Sequence, residues 1–264
     1  MKKAIGPIII AFGLLFMYAP ILILGVYSFT DATTIGQAGG FSFANYVTLF
    51  TTADLRNMII GTMLLALVSS IIATVLGTVG AIGTFYSKKR FQATVGVINQ
   101  VPVVNADVVT GFSLCILVVV VLGVSKDTYI PLIIGHVTLS APFVYLSVVP
   151  KLKQMDPSLY EAALDLGASP AVALRKIIIP QIFSGIVSGF AMAITLSLDD
   201  YFIATYTKPA TFDTISTYVV NATRGSQTEI KTALWALSTV IFVIVLCIAI
   251  GMNVSAKRAE NKER

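Results

Sequence analysis

Charge is scarce in this 264-residue chain: Asp, Glu, Lys and Arg together make up 12% of it, against about 25% in a typical soluble domain. Too little polar side chain is present to cover a water-soluble surface, so an ordinary soluble enzyme is excluded. A hydrophobic share of 56% excludes a disordered chain as well. One histidine and two cysteines leave no His/Cys metal cluster and no disulfide framework, since Cys115 and Cys247 lie far apart inside apolar runs. No G-x-x-x-x-G-K-[ST] run occurs, and Gly77, Gly80 and Gly83 sit in an apolar stretch with no lysine after them. The chain therefore carries no nucleotide-binding loop of its own. No nucleophile–base pair is visible either, so no catalytic residue, metal or cofactor is expected.

Long apolar runs are what the sequence does have, and its mean hydropathy is +0.87. A membrane helix needs about 20 mostly apolar residues, and six stretches qualify: Ile8 to Phe29, Met58 to Phe85, Thr94 to Leu122, Tyr129 to Val149, Ile182 to Tyr206 and Ala233 to Met252. The first follows Met1-Lys2-Lys3 but is too long for a signal-peptide core and ends in no small-x-small cleavage site, so it reads as a retained helix. The expected fold is thus an all-α integral membrane protein with six transmembrane helices.

The charges orient it. Lys2, Lys3, Lys88, Lys89, Arg90, Lys151, Lys153, Arg175, Lys176, Lys257, Arg258, Lys262 and Arg264 fall on one side of the six spans. The other side has Arg56, Lys126, Lys208, Arg224 and Lys231, diluted by Asp31, Asp54, Asp127, Asp213 and Glu229. The positive-inside rule puts both termini in the cytoplasm. The net charge of +5 is then a topology signal, and nucleic acid is not an expected partner. Trp235, Tyr129, Tyr206 and Tyr218 are expected at the outer interface.

The longest cytoplasmic connection, Pro150 to Pro180, has structure of its own. Asp156-Pro157 is a cap-plus-first-turn pair, predicting a helix from Pro157 to about Leu166 with Leu159, Ala162, Ala163 and Leu166 on one small apolar face. Gly167 stops it where a positive φ is cheap. Ser169-Pro170 repeats the signal for a second helix, which Pro180 is expected to terminate. A small-residue helix held in such a bracket suits a groove on another protein.

Three carboxylates interrupt the spans: Asp107 in the third, Asp199 and Asp200 in the fifth. An aspartate at a helix centre costs roughly 2.5–3.5 kcal/mol on insertion scales, so each needs a partner or a wet cavity. No lysine or arginine lies inside any of the six stretches, which points to water, hydrogen bonds or a cationic ligand. Ser184, Ser188, Thr195 and Asp199 share one helical stripe. Asp200 points about 100° away, so Asp199 is expected to face a route and Asp200 to brace a neighbouring helix or the outer gate. Val101-Pro102 and Ala141-Pro142 are expected to break the third and fourth spans. Tyr145, Tyr201 and Phe202 could hold an amine by cation–π contact. His136 is expected to pack or line a cavity rather than relay protons, because no acid or base near it can be identified in the sequence.

Glu161-Ala162-Ala163, three residues, Gly167, nine residues, then Ile177-Ile178-Ile179-Pro180 resembles the EAA signature of ABC importer permeases, with Ile179 in place of its leucine. Leu196-Ser197-Leu198-Asp199-Asp200 and the Asp107 region resemble the polyamine (spermidine/putrescine) subfamily. The resemblance implies a type-1, MetI-like architecture in a bacterial cell membrane. Residues 1–55 would form the first helix and an extracytoplasmic loop, 56–252 the permease core with the coupling segment 156–180, and 253–264 a cytoplasmic tail. It further implies as partners a second permease subunit, two cytoplasmic ATP-binding subunits, an extracytoplasmic substrate-binding protein and a small cationic substrate. In such a protein Glu161, Ala162, Ala163 and Gly167 would couple to the ATPase, with both alanines packing into its cleft. Asp107, Asp199, Asp200, Thr195 and Tyr201 would line the substrate path. The alternatives are an ABC permease for another solute, such as an organophosphonate, iron or sulfate, and an ion-coupled secondary carrier.

Overall fold

Backbone groups in lipid have only one another as partners, so apolar runs of membrane length must be helical. The computed structural model describes residues 2–33, 36–37, 39–156, 158–224 and 228–262, and among these it shows helices and no strand, with a single isolated bridge between Thr30 and Phe41. Pro157 and Arg264, both used in the sequence argument, lie outside the described residues. The helices are α1 (Lys2–Ser28), α2 (Ala44–Thr51), α3 (Ala53–Phe85), α4 (Lys89–Val104), α5 (Asp107–Cys115), α6 (Ile130–Gln154), α7 (Ser158–Asp165), α8 (Pro170–Ala173), α9 (Ile179–Asp199), α10 (Phe202–Thr207), α11 (Ile215–Arg224) and α12 (Thr228–Lys262).

Among the described residues, Ile9–Ser28, Ala53–Phe85, Ile130–Gln154 and Pro170–Asp199 are long and apolar enough to cross a membrane. A fifth candidate is α4 with α5 and its π-helical extension to Val121, bent by 103°, and Thr232–Cys247 is a shorter apolar stretch. The third expected span is therefore not a straight rod: Pro102 lies inside α4, and Asn105 and Ala106 are extended. The fourth differs from expectation in the opposite sense. α6 runs unbroken through Pro142, and Asn99 of α4 donates its amide to the Pro142 carbonyl at 3.2 Å.

The chain forms two compact units, Met1–Ile59 with Tyr218–Cys247 and Ile60–Thr217 with Ile248–Arg264. In the first, none of the apolar stretch of α1 is buried against the rest of the chain. Beyond its end, buried Asn45 donates to the Ser28 and Thr30 carbonyls at 3.2 and 2.9 Å, satisfying acceptors that a helix terminus leaves open. Tyr27 meets Trp235 edge to face at 5.6 Å.

The second unit is built on α6. Membrane helices lack a hydrophobic drive to associate and rely on close backbone approach at small residues. Val144, fully buried, sits between two of them: a Cβ on Gly77 of α3 would lie 2.7 Å from the Val144 Cβ, and one on Gly189 of α9 would lie 3.0 Å from its Cα. Gly185, one turn before Gly189, meets the Ser147 carbonyl in the same way at 2.9 Å. Around this seam cluster Ala73, Ala81, Tyr145, Val148, Leu152, Ile178, Ile182 and Ala193. Tyr145, a sequence candidate for holding an amine, is thus a core residue.

Candidate functional site

Two places in the second unit carry the polar chemistry. One is a pair of helix breaks lying side by side. α4 ends at Val104 and α5 restarts at Asp107, while α9 ends at Asp199 and α10 restarts at Phe202 after an extended Asp200. Short α10 is clamped from both sides at Ile203. A Cβ on Gly111 of α5 would stand 3.0 Å from the Ile203 Cα, and one on Gly135 of α6 would stand 2.5 Å from its Cγ2. Phe112 and Tyr206 close the same contact edge to face at 5.7 Å.

This packing gathers all three acids, with the charges of Asp107 and Asp199 both within electrostatic reach of Asp200. Among the described residues no lysine or arginine pairs with any of them. Their surroundings differ. Asp107 begins α5, where a carboxylate is favoured by the helix dipole, and is exposed. Asp199 is exposed, as are Ser188 and Thr195 on its stripe, with Ser184 half-buried. The opposite stripe, Gly185, Gly189, Ala193 and Ser197, is buried. Tyr201 is half-buried against Phe202, ring centroids 5.1 Å apart.

Asp200, placed on the path with the other two by the sequence argument, is only 8% exposed. Its Oδ1 accepts from the Ile203 amide at 3.2 Å and its Oδ2 from the Ala204 amide at 2.7 Å, so it caps α10. The same Oδ2 faces His136 Nε2 at 3.6 Å. Fully buried His136 is not isolated: its Nδ1 lies 2.8 Å from Ser197 Oγ, which is 3.2 Å from Ser69 Oγ. Sequence reasoning missed this chain. Its signal was the four-residue repeat of small residues from Gly185 to Ser197, a packing seam that ends in a hydroxyl three residues before an acid.

The other place is the bracket between α6 and α9. Asp156 Oδ1 accepts from the Ser158 amide at 2.9 Å and its hydroxyl at 2.8 Å. These bonds hold the carboxyl below its ordinary range. α7 closes with Ala168 N–H on the Ala163 carbonyl at 3.0 Å, Gly167 N–H on that of Leu164 at 2.9 Å, and Gly167 at φ +84°, the Schellman pattern. Ser169 then caps α8 by accepting from the Val172 amide at 3.4 Å. The expected apolar face of α7 divides in two. Ala163 is 5% exposed and Leu159 packs on the core, whereas Ala162 is exposed and Leu166 is 88% exposed. Ala163 therefore fills the bracket's own interior, while Ala162 and Leu166 are exposed, with Glu161 exposed beside them. The Tyr160 ring of α7 meets that of Tyr86 at a tilt of 41°, centroids 5.0 Å apart, and burial, reinforced by Tyr160, pushes the Tyr86 phenol up.

Pro180 does not end the second helix of the bracket. A π-helical turn over Leu174–Ile178 brings Pro180 into the first turn of α9, where a missing N–H leaves no helix bond unmade. α8, the turn and α9 thus run as one apolar rod, Pro170–Asp199. The bracket and the acid-lined break sit at opposite ends of it.

Similarity to known proteins agrees with this arrangement. The family described as the binding-protein-dependent transport system inner membrane component matches residues 73–261. The putrescine transport system permease protein PotI of Escherichia coli (strain K12) is 32% identical over 241 residues, 89% of this chain and 84% of that protein. The spermidine/putrescine transport system permease protein PotC of Haemophilus influenzae is 29% identical over 236 residues, 89% of this chain and 90% of the other. A crystal structure of a bacterial ABC transporter involved in the import of the acidic polysaccharide alginate superposes with a TM-score of 0.73 at 22% identity, covering 97% of this chain and 94% of that one.

Proposed function

Because this chain belongs to the family of binding-protein-dependent transport system inner membrane components, we propose that it forms half of the translocation path of an ATP-driven importer of polyamines. The observation that carries the reading is the pair of adjacent helix breaks lined by Asp107 and Asp199, with which no lysine or arginine pairs among the described residues. Irregular backbone at membrane depth is tolerated where it borders a cavity, and unpaired exposed carboxylates there suit a cationic solute. Relatives named for putrescine and for spermidine/putrescine transport support the same solute class. Thr195 and Tyr201 stand beside Asp199 on the route, while Asp200 shapes the break from inside.

The complete importer comprises a second permease, two cytoplasmic ATPase subunits and an extracytoplasmic binding protein, in a bacterial cytoplasmic membrane. The chain crosses six times with both termini inside. ATP-driven closure of the ATPases moves the exposed Glu161, Ala162 and Leu166. Gly167 holds the turn that passes this motion to the rod Pro170–Asp199, and the break at its far end opens outward to receive solute. Hydrolysis reverses the tilt.

Uptake of labelled putrescine and spermidine by membranes expressing the chain with its partners tests this. ATP-dependent uptake is expected, reduced about tenfold by Asp199→Asn, the equivalent of one lost charge contact. Uptake driven by an ion gradient without nucleotide overturns the importer, and ATP-dependent uptake of another solute alone overturns the polyamine.

A further inference from the structure

We infer that His136 is a positioning residue that sets the shape of the α9–α10 break through Asp200, and thereby turns Asp199 toward the path. This rests on the reading of the break as part of the path and adds to it a residue that never touches solute. His136 is 0% exposed and sits on α6, which runs unbroken past both breaks. Its two ring nitrogens face the two ends of the structure that precedes and forms the break: Ser197 in the last turn of α9, and Asp200 at the extended residue.

The hydrogen bonds give the ring its orientation. Ser69 donates to the Leu65 carbonyl at 2.7 Å, so the Ser69 oxygen is a fixed wall behind Ser197. Ser197 has one proton and two acceptors in reach, Ser69 Oγ at 3.2 Å and Nδ1 at 2.8 Å; given to the nearer Nδ1, it leaves the ring proton on Nε2, facing the Asp200 carboxylate. Among the described residues Nε2 has no hydrogen-bond partner, and 3.6 Å to Oδ2 is an electrostatic contact too long for a hydrogen bond. Asp200 meanwhile spends both oxygens on the first amides of α10. The ring thus backs the carboxylate, the carboxylate holds α10, and Asp199, one residue earlier, is left facing outward. Removing the Nε2 side of the ring takes away the group behind Asp200 and lets the break shift, carrying Asp199 with it.

The two amide substitutions separate the two ring nitrogens. Gln places its terminal amide near the Nε2 position and so preserves a donor toward Asp200. Asn places its amide near Nδ1 and preserves only the Ser197 contact. The readout is the rate at which a quaternary-ammonium methanethiosulfonate labels Asp199→Cys, with Cys115 and Cys247 replaced by alanine, in membranes expressing the chain with its partner subunits. His136→Asn is expected to slow labelling about tenfold, and His136→Gln to stay within about twofold of the parent, as the loss or retention of one buried donor facing a carboxylate dictates.

Equal rates in all three forms overturn the positioning role, as does rescue by Asn in place of Gln. If His136→Asn does not assemble, Ser197→Ala asks the same question by releasing the ring, with labelling slowed about threefold expected and an unchanged rate overturning the role. Failure to label Asp199→Cys with His136 intact removes Asp199 from the aqueous path, and the inference with it. Because labelling needs no transported solute, an importer of some other solute leaves this result standing.

Discussion

Replacing Asp200 by alanine removes both acceptors that hold the start of α10. That helix is only six residues long, Phe202–Thr207, far below the length at which an isolated helix is stable, so its order depends on its cap and on the Gly111–Ile203–Gly135 clamp. Two amide bonds to a carboxylate are lost, at 3.2 and 2.7 Å, and Ile203 and Ala204 are both 0% exposed, so no bulk water takes over the freed N–H groups. A lost cap costs about 0.5–2 kcal/mol and a buried donor left unmade about 1–3 kcal/mol. Together these place local destabilisation at about 2–3 kcal/mol. At about 1.4 kcal/mol per tenfold, amide exchange within Phe202–Thr207 should accelerate roughly 30- to 150-fold. Hydrogen–deuterium exchange of the assembled importer, read on peptides covering 200–207 and on α6 as internal control, measures this. Asp200→Asn, which keeps one acceptor, should fall between. Unchanged exchange at α10, or equal acceleration along α6, would refute the account of Asp200 as the cap of the break.

Gly167→Ala forces a side chain into φ +84° and should cost about 1–2 kcal/mol in the bracket without any steric clash, seen as lower transport per ATP hydrolysed. Glu161→Lys should leave membrane insertion intact and uncouple ATPase turnover from uptake, measured as ATP consumed per solute moved. Gly189→Val pushes branched carbons into the Val144 backbone, 3.0 Å from the added Cβ, and should lower the thermal stability of the permease by the equivalent of about 1–3 kcal/mol. Asp156 has a carboxyl held below its ordinary value of 3.8 by bonds from Ser158, so its contribution to α7 is fully present above that value. The contribution is lost as pH falls through the lower value of the folded state. Protection of the Ser158 amide, corrected for intrinsic exchange, should therefore persist at neutral pH, decline only in acid, and lose that acid dependence in Asp156→Ala.

Local chemistry was legible in the sequence wherever a residue's role depends on its chain neighbours. The Asp156 cap, the Gly167 turn, the Ser169–Pro170 start and the opposite facings of Asp199 and Asp200 all follow from spacing along a helix, and all appear in the structure. Proline was the unreliable signal. Pro102 sits in a helix that ends two residues later, at Val104, while Pro142 is absorbed in α6 and Pro180 in the first turn of α9, after the π-helical turn. The outcome depends on which neighbouring groups take up the freed backbone, as Asn99 does at Pro142. Spacing alone could not divide the face of α7: Ala163 pairs with Leu159 on the core side and Ala162 with Leu166 outside, at the same four-residue interval.

Composition and charge order by themselves determined that this is a helical membrane protein, which faces of its long segments are polar, and that a capped helix–turn–helix bracket joins two of them. Those properties arise from solvation and from contacts within a few residues of the chain. Only the tertiary structure decided that two helix breaks lie together, that His136 and Ser197 stand behind Asp200, and that Ile203 is clamped between Gly111 and Gly135. These groups are separated by dozens of residues, and their meeting is set by how closely glycine-lined helices can approach, which no local pattern encodes.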